Sequence, residues 1–591
     1  MDVTKALQLT TPDADLDKLS FCDSSLNALA EWTASLPMAN TKLTAAQLMA
    51  ATSDVARLRT DASERLEYLE ILRPPLEYIC SRLDRSSTGF INGNGDDLSE
   101  LAQRLQTNLT VGYKAVIRDV DLDNPKNMET VVLSCHRTLA DLSRTLLRSC
   151  QHYVAPSQNL WLELNQLYAL AEELGFADEQ INDDENHAVL NMSAKDHYCR
   201  SLLLALAKPN QLRHRQLAAI FNGLEQWISL VKLAPTAEDS LFTIDLESDE
   251  PPRYTRLVKT EPTPQYRGLQ TGVLVYELEA FLKNIDTDLP IPDYVDATLV
   301  NHLVSCWGEI AKRGFRRAPA KGSMKVAVGM SSSHYFISGG VEFAEQLGST
   351  DAMLRREINP FTEQESVHKD RTADVWDQAL AQHIPENPNI VDPDKILLNA
   401  RRDGQSEGAA EVTHVAHDAE ILDTSPGGYR LEWGENAPSN MQSGDIMAIR
   451  EARDERWCIA ILRWVRHEEG RTQTGVELLA PRAIPVAIRM IQKKGGPTDF
   501  TRALVLPELA AIRRPATLIT PTLKFAEQQK IHVQRQGVQA TAQLAEERQR
   551  TESFLQFSFR MLDGYLENTQ IDLNITASWD ASTTDSVTAS R

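Results

Sequence analysis

Two short runs contain the residues whose types and spacing could do chemistry. In ILDTSPGGYRLEW, residues 421 to 433, Asp423 and Ser425 stand just ahead of Gly427 and Gly428, between two stretches that read as strands. A carboxylate and a hydroxyl two residues apart offer acceptors and a donor on one short surface, and glycine lets the backbone take positive φ or approach a neighbour closely. A hairpin turn with local Asp and Ser hydrogen bonds accounts for the same residues without a ligand. The second run is Arg313-Gly-Phe-Arg-Arg317, flanked by Lys312. Paired guanidiniums can fork onto phosphate oxygens or a base edge, where lysine would supply a point charge. The same cations would equally suit a solvated helix C-terminus.

No catalytic set accompanies them. The chain has no GxxxxGK[ST], HExxH or GxSxG pattern, and acidic pairs such as Asp96-Asp97 and Glu172-Glu173 read as exposed charge. The seven cysteines are scattered and never spaced as CxxC, which fits a reducing cytoplasm. Cys135-His136 and His197-Tyr-Cys199 have no partner cluster at zinc-like spacing, so buried thiols are expected there. The expectation is a protein with no catalytic residue, no metal and no cofactor.

The elements that must position these residues follow from the patterning of a 591-residue chain, long enough for several domains. Residues 1 to about 235 read as a helical domain. Leu160, Leu164, Leu167, Tyr168, Ala171 and Leu174 fall at helical spacing, as do Leu217, Ile220, Leu224, Trp227, Ile228 and Val231. A capping-box pattern at Thr44-Ala-Ala-Gln47 predicts a helix start. Residues 236–312 read as a connector: a strand near 241–247, a helix near 274–282 and another over about 292–312. From 324 the period becomes two, in MKVAVGM, WCIAILRWV and GVELL, predicting a β-rich module over 313–482. Residues of about 341–410 read as an insertion into it, with a helix near 374–384. Alternation resumes over 483–567 as a second β-rich domain, and the polar 568–591 read as a disordered tail. The fold class expected is thus multidomain α+β.

Asp423-Thr-Ser425-Pro-Gly-Gly428 matches the DxSxxG signature of PilZ domains, with SGDIMAIRE, WCIAILRWVR and TGVELLAP following in the family's order. Arg313 and Arg317 supply the family's RxxxR spacing just ahead of MKVAVGM. The module from 313 to 482 therefore resembles the PilZ family of cyclic di-GMP receptors. The resemblance implies an antiparallel β-barrel in a bacterial, cytoplasmic signalling protein. It also implies that Arg313 and Arg317 clamp the cyclic dinucleotide, Asp423 and Ser425 hydrogen-bond guanine, and Gly428 allows close backbone approach. The 105 residues between Arg317 and Asp423 depart from a compact module, so the insertion must loop out. Arg401-Arg402 is an alternative basic pair nearer to Asp423 but lacks the spacing.

Gly339-Gly-Val-Glu-Phe343 is similar to the GGDEF signature of diguanylate cyclases, but valine stands where Mg²⁺ chemistry needs a carboxylate, and the similarity is ascribed to chance. The formal net charge of −22 argues against DNA or RNA as partner, and no apolar run is long enough to insert in a membrane. The expected function is a non-enzymatic receptor or adaptor: cyclic di-GMP binds, and the interaction with an unidentified protein partner changes. The alternative is a scaffold or chaperone-like protein with a non-binding barrel.

Overall fold

The computed structural model describes residues 7–563 except 88–93, 184–185, 187, 259–262, 286, 288, 293, 310–317, 348–413, 426, 435–436, 439, 453–455, 469, 492–497, 509–514, 523–524 and 536–537. The predicted helix near 374–384 and the tail 568–591 lie outside the described residues. The chain divides into two units, Met1–Gly314 with Arg466–Glu469, and Phe315–Val465 with Gly470–Arg591. No helix among the described residues is long and apolar enough to cross a membrane.

The first unit opens with α1 (Leu26–Ala34), α2 (Thr41–Arg57), α3 (Ala62–Ser87) and α4 (Asn94–Asp119). These bury Leu48, Val55, Leu69, Leu72, Leu105 and Leu109 in one cluster. Helix α2 starts a turn earlier than the capping-box pattern predicts. Asn40 takes the cap by accepting from Leu43 N at 3.2 Å, and Thr44 turns inward to donate to the Pro37 carbonyl at 2.7 Å. Next come α5 (Met128–Gln151), α6 (Leu160–Glu173), the two-residue strands β1 (Ile181–Asn182) and β2 (Asn191–Met192), α7 (Ala194–Leu206) and α8 (His214–Trp227).

Strands β3 (Lys232–Ala234), β4 (Phe242–Asp245), β5 (Arg253–Tyr254) and β6 (Tyr266–Gln270) form a four-stranded sheet in the order β3-β6-β4-β5, followed by α9 (Gly272–Leu282) and α10 (Ala297–Trp307). Their apolar residues, Phe242, Ile244, Leu269, Leu278, Leu303 and Trp307 among them, join the same core as α5 to α8. Two tryptophans pin that junction: Trp307 Nε1 donates to the Leu203 carbonyl at 3.0 Å and Trp227 Nε1 to the Pro290 carbonyl at 2.9 Å. Buried charges are paired, Arg73 with Asp141 at 3.0 Å and Arg200 with Glu225 at 2.8 Å, as desolvated ions must be.

The second unit holds β7 (Ala318–Val328), the short helices α11 (Met330–Ile337) and α12 (Phe343–Gln346), and β8 (His417–Ser425), β9 (Gly428–Trp433), β10 (Ile446–Glu451), β11 (Cys458–Glu468) and β12 (Arg471–Ala480). These six strands close an antiparallel barrel in the order β10-β11-β12-β9-β8-β7. Closure depends on β7, which pairs with β8 (Met324↔Ala419, Val326↔His417) on one side and β10 (Val326↔Ile449) on the other. The stretch around MKVAVGM and the one around DTSPGG are thus adjacent strands of one barrel across the intervening residues.

A second six-stranded closed barrel follows: β13 (Ile484–Met490), β14 (Thr501–Leu506), β15 (Thr517–Thr520), β16 (Lys530–Arg535), β17 (Val538–Arg550) and β18 (Leu555–Met561). The two barrels share a core. Ile446, Ala448, Ile459 and Ile461 of the first pack with Leu504, Leu506, Ile519 and Phe554 of the second, and Met330 of α11 sits among them.

Candidate functional site

The site is built on strands β8, β9, β11 and β12. Leu431 and Trp433 on β9 are buried, and Trp433 Nε1 donates to Thr474 Oγ1 on β12 at 2.9 Å, so these residues face into the barrel. Strand alternation then puts Arg430 on the outer face, with Gly475 as its partner on β12. On β8, Asp423 is the partner of Arg430, brought there by an irregularity after Ile421. The two side chains form an ion pair, Arg430 Nε to Asp423 Oδ2, at 2.9 Å.

Ser425 and Gly428 pair across the turn that joins β8 to β9, and the Ser425 hydroxyl donates to the Gly428 carbonyl at 3.4 Å. Gly428 has φ of +153°, and a Cβ at this position would overlap the carbonyl oxygen of Val476 on β12. Glycine is therefore required by the backbone and by the adjacent strand together. Glu477, the partner of Gly428, is held by Arg463 at 2.7 Å.

The turn thus brings Asp423, Ser425 and Gly428 onto one surface. Arg313, Arg317, Arg401 and Arg402 lie outside the described residues. Strand β7 begins at Ala318, whose partner is Thr424, and Pro319 is the partner of Asp423. Within the described surface Asp423 is paired with Arg430 and Glu477 with Arg463, and Lys321 on β7 stands exposed between Pro319, the partner of Asp423, and Gly322.

The comparisons with known proteins agree with this architecture. The family model of the cyclic-di-GMP receptor FimW N-terminal domain matches residues 27–237, that of its middle PilZ domain matches 241–485, and that of its C-terminal β-barrel domain matches 486–562. The cyclic-di-GMP receptor FimW of Pseudomonas aeruginosa is 30% identical over 589 residues, covering 97% of this chain and 96% of that protein. The chain belongs to the FimW family. Its PilZ barrel is the one closed by β7 to β12, and the FimW C-terminal barrel is the one closed by β13 to β18.

The N-terminal domain of this FimW family member contains a polar cluster that sequence spacing did not reveal. His136 on α5 and His197 on α7 lie sixty-one positions apart yet meet with Asp183, close enough for the three to be weighed as metal ligands. His136 Nε2 is 3.0 Å from the Met192 carbonyl and 3.2 Å from His197 Nε2. A single Nε2–H on His136, shared between those two acceptors, satisfies both contacts. The Asp183 oxygens are faced by Arg137 and Arg144 at 3.4 Å each and by Arg73 at 3.9 Å. With its carboxylate engaged by guanidiniums, the cluster is a buried polar network joining α5, α7 and the β1–β2 hairpin. Burial holds the His136 imidazole down to about 3 and pushes the neighbouring Cys135 and Cys199 thiols up to about 12.

Proposed function

We propose that this protein is a cyclic di-GMP receptor that binds the nucleotide on the outer face of its PilZ barrel and in response changes its interaction with a protein partner. Asp423 and Ser425 hydrogen-bond a guanine edge, Gly428 keeps the turn flat enough for close approach, and Arg313 and Arg317 clamp the phosphates. The observation that carries the reading is the pairing of Ala318 with Thr424, which delivers the chain following Arg317 directly beside the DxSxxG turn. Charge supports the same assignment. Arg430 and Arg463 are each already engaged by a carboxylate, so a ligand with two phosphates is served by the further arginines of the RxxxR run.

The FimW relative is described as a cyclic-di-GMP receptor, and it matches this chain across both barrels and the helical region. No covalent chemistry is involved. Binding alters partner recognition when the two arrangements of the protein differ in their affinity for the nucleotide. A barrel that serves as scaffold is the second reading, and the existing Asp423–Arg430 ion pair favours it, because that carboxylate already has a partner.

Calorimetry on Arg317→Ala and Arg402→Ala at one fixed salt concentration separates the assignments. Removal of Arg317 is expected to cost about 1.5–3 kcal/mol, roughly one to two orders of magnitude in affinity, while Arg402→Ala stays near the parent. The reverse pattern would move the clamp to the far side of the insertion, and equal small losses would reduce both arginines to a solvated basic patch.

A further inference from the structure

The outer face of the PilZ barrel carries an aromatic residue that neither motif specifies. On β11, Ile459 and Ile461 belong to the core shared with the second barrel, so the alternate residues Ala460 and Leu462 face the barrel interior. The next buried residue is Val465, one position later than alternation allows. Arg463 and Trp464 consequently both lie outside, which is the signature of a β-bulge, and Arg463 reaches Glu477 there. Trp464 is half-buried, and what lies under its indole is Gly475 of β12: a Cβ on that glycine would overlap Nε1, Cε2 and Cδ1 of the ring.

Cross-strand pairing completes the arrangement. Gly475 is the partner of Arg430, and Arg430 is the partner of Asp423. Asp423, Arg430 and Gly475 are therefore successive cross-strand partners on β8, β9 and β12, and the Trp464 indole from the neighbouring strand β11 lies over Gly475. A carboxylate stands at one end, an indole at the other, and between them a guanidinium and a position with no side chain.

We infer that Trp464 is a base-stacking residue of the nucleotide site, with Gly475 as the gap that seats its indole and Arg430 as a second guanine contact. This rests on the receptor reading above. Guanine presents N1–H and N2–H₂ donors to a carboxylate such as Asp423, and O6 and N7 acceptors to a guanidinium such as Arg430. Its face needs an aromatic platform, and every purine stacks well on indole. An aromatic ring laid over a strand glycine also protects the sheet. That purely structural role predicts a loss of stability in Trp464 variants with affinity unchanged, so the two roles separate by measurement.

The test is calorimetric titration of the full chain with cyclic di-GMP, using the parent, Asp423→Ala, Trp464→Leu and Trp464→Phe, each with its thermal midpoint. Trp464→Leu is expected to lose about ten- to a hundredfold in affinity, by the same factor at low and high salt, because stacking is not screened. Trp464→Phe keeps a platform and should stay within about fivefold of the parent. If the parent binds and Asp423→Ala weakens it while Trp464→Leu binds as the parent does, the stacking role is overturned and the receptor reading stands. If the parent does not bind, the receptor reading fails and the stacking role with it. Should Trp464→Leu not fold, tryptophan emission decides: ligand-induced quenching in the parent must shrink in Trp464→Phe, and equal quenching in both overturns the assignment.

Discussion

At the scale of single residues, the DxSxxG turn shows why one glycine is indispensable whatever binds there. Gly428 has a positive φ and lies against the carbonyl of Val476. Gly428→Ala is therefore expected to destabilise the barrel by about 1–3 kcal/mol, seen as a lowered thermal midpoint of the barrel transition. An unchanged midpoint would mean that the turn relaxes freely and exerts no positional control over Asp423 and Ser425. The turn that carries Asp423, Ser425 and Gly428 was legible in the sequence because it is local and its spacing is distinctive. Arg430, Gly475 and Trp464 were not, because their proximity depends on the register of β9 against β12 and on the indole of β11 lying over a glycine of β12, which no contiguous motif encodes. The pair His136 and His197 was hidden for the same reason: two helices far apart in sequence bring the imidazoles together.

At the scale of elements, the described residues on either side of the long interruption between β7 and β8 are anchored. The His414 and Tyr335 rings stack with centroids 4.4 Å apart, His414 Nε2 lies 3.6 Å from Glu342 Oε2, and Gln534 donates to the Leu347 carbonyl at 2.9 Å. Replacing residues 350–410 by a short Gly/Ser linker should therefore leave the barrel closed. Cyclic di-GMP affinity, measured by titration, is expected within a few-fold of the parent, since the cost of loop length grows slowly. Lost binding with an unchanged thermal midpoint would instead show that the segment covers the ligand. The split barrel was legible because both halves alternate with period two and neither has enough strands to close alone. The core shared by the two barrels was not: the run Ile446-Met-Ala-Ile449 is apolar on both faces, and a sequence cannot say that one face fills a barrel interior while the other meets a second barrel.

At the scale of the whole molecule, both units bury neutral histidines, and this sets a pH dependence. Burial holds His136 and His334 down to about 3 and His214 to about 4, and pushes His197 well below its ordinary value. The unfolded chain therefore takes up these protons first, near pH 6.5. Stability is complete above that value and declines as pH falls toward the folded values. Stability should fall between pH 6.5 and 5 by up to about 1.4 kcal/mol per pH unit for each such histidine, seen as falling thermal midpoints, and His334→Gln should reduce the slope for the barrel unit. A flat profile in that window would contradict the burial of neutral imidazoles. The match to FimW runs through the helical region and both barrels, so the molecule is best tested intact. The most direct test of the receptor assignment is calorimetric titration of the full chain with cyclic di-GMP beside its Asp423→Ala variant. Saturable binding by the parent, weakened about tenfold or more in the variant, is the expected result. No heat of binding from a folded parent, or equal affinity in both proteins, would contradict a nucleotide site at the DxSxxG turn.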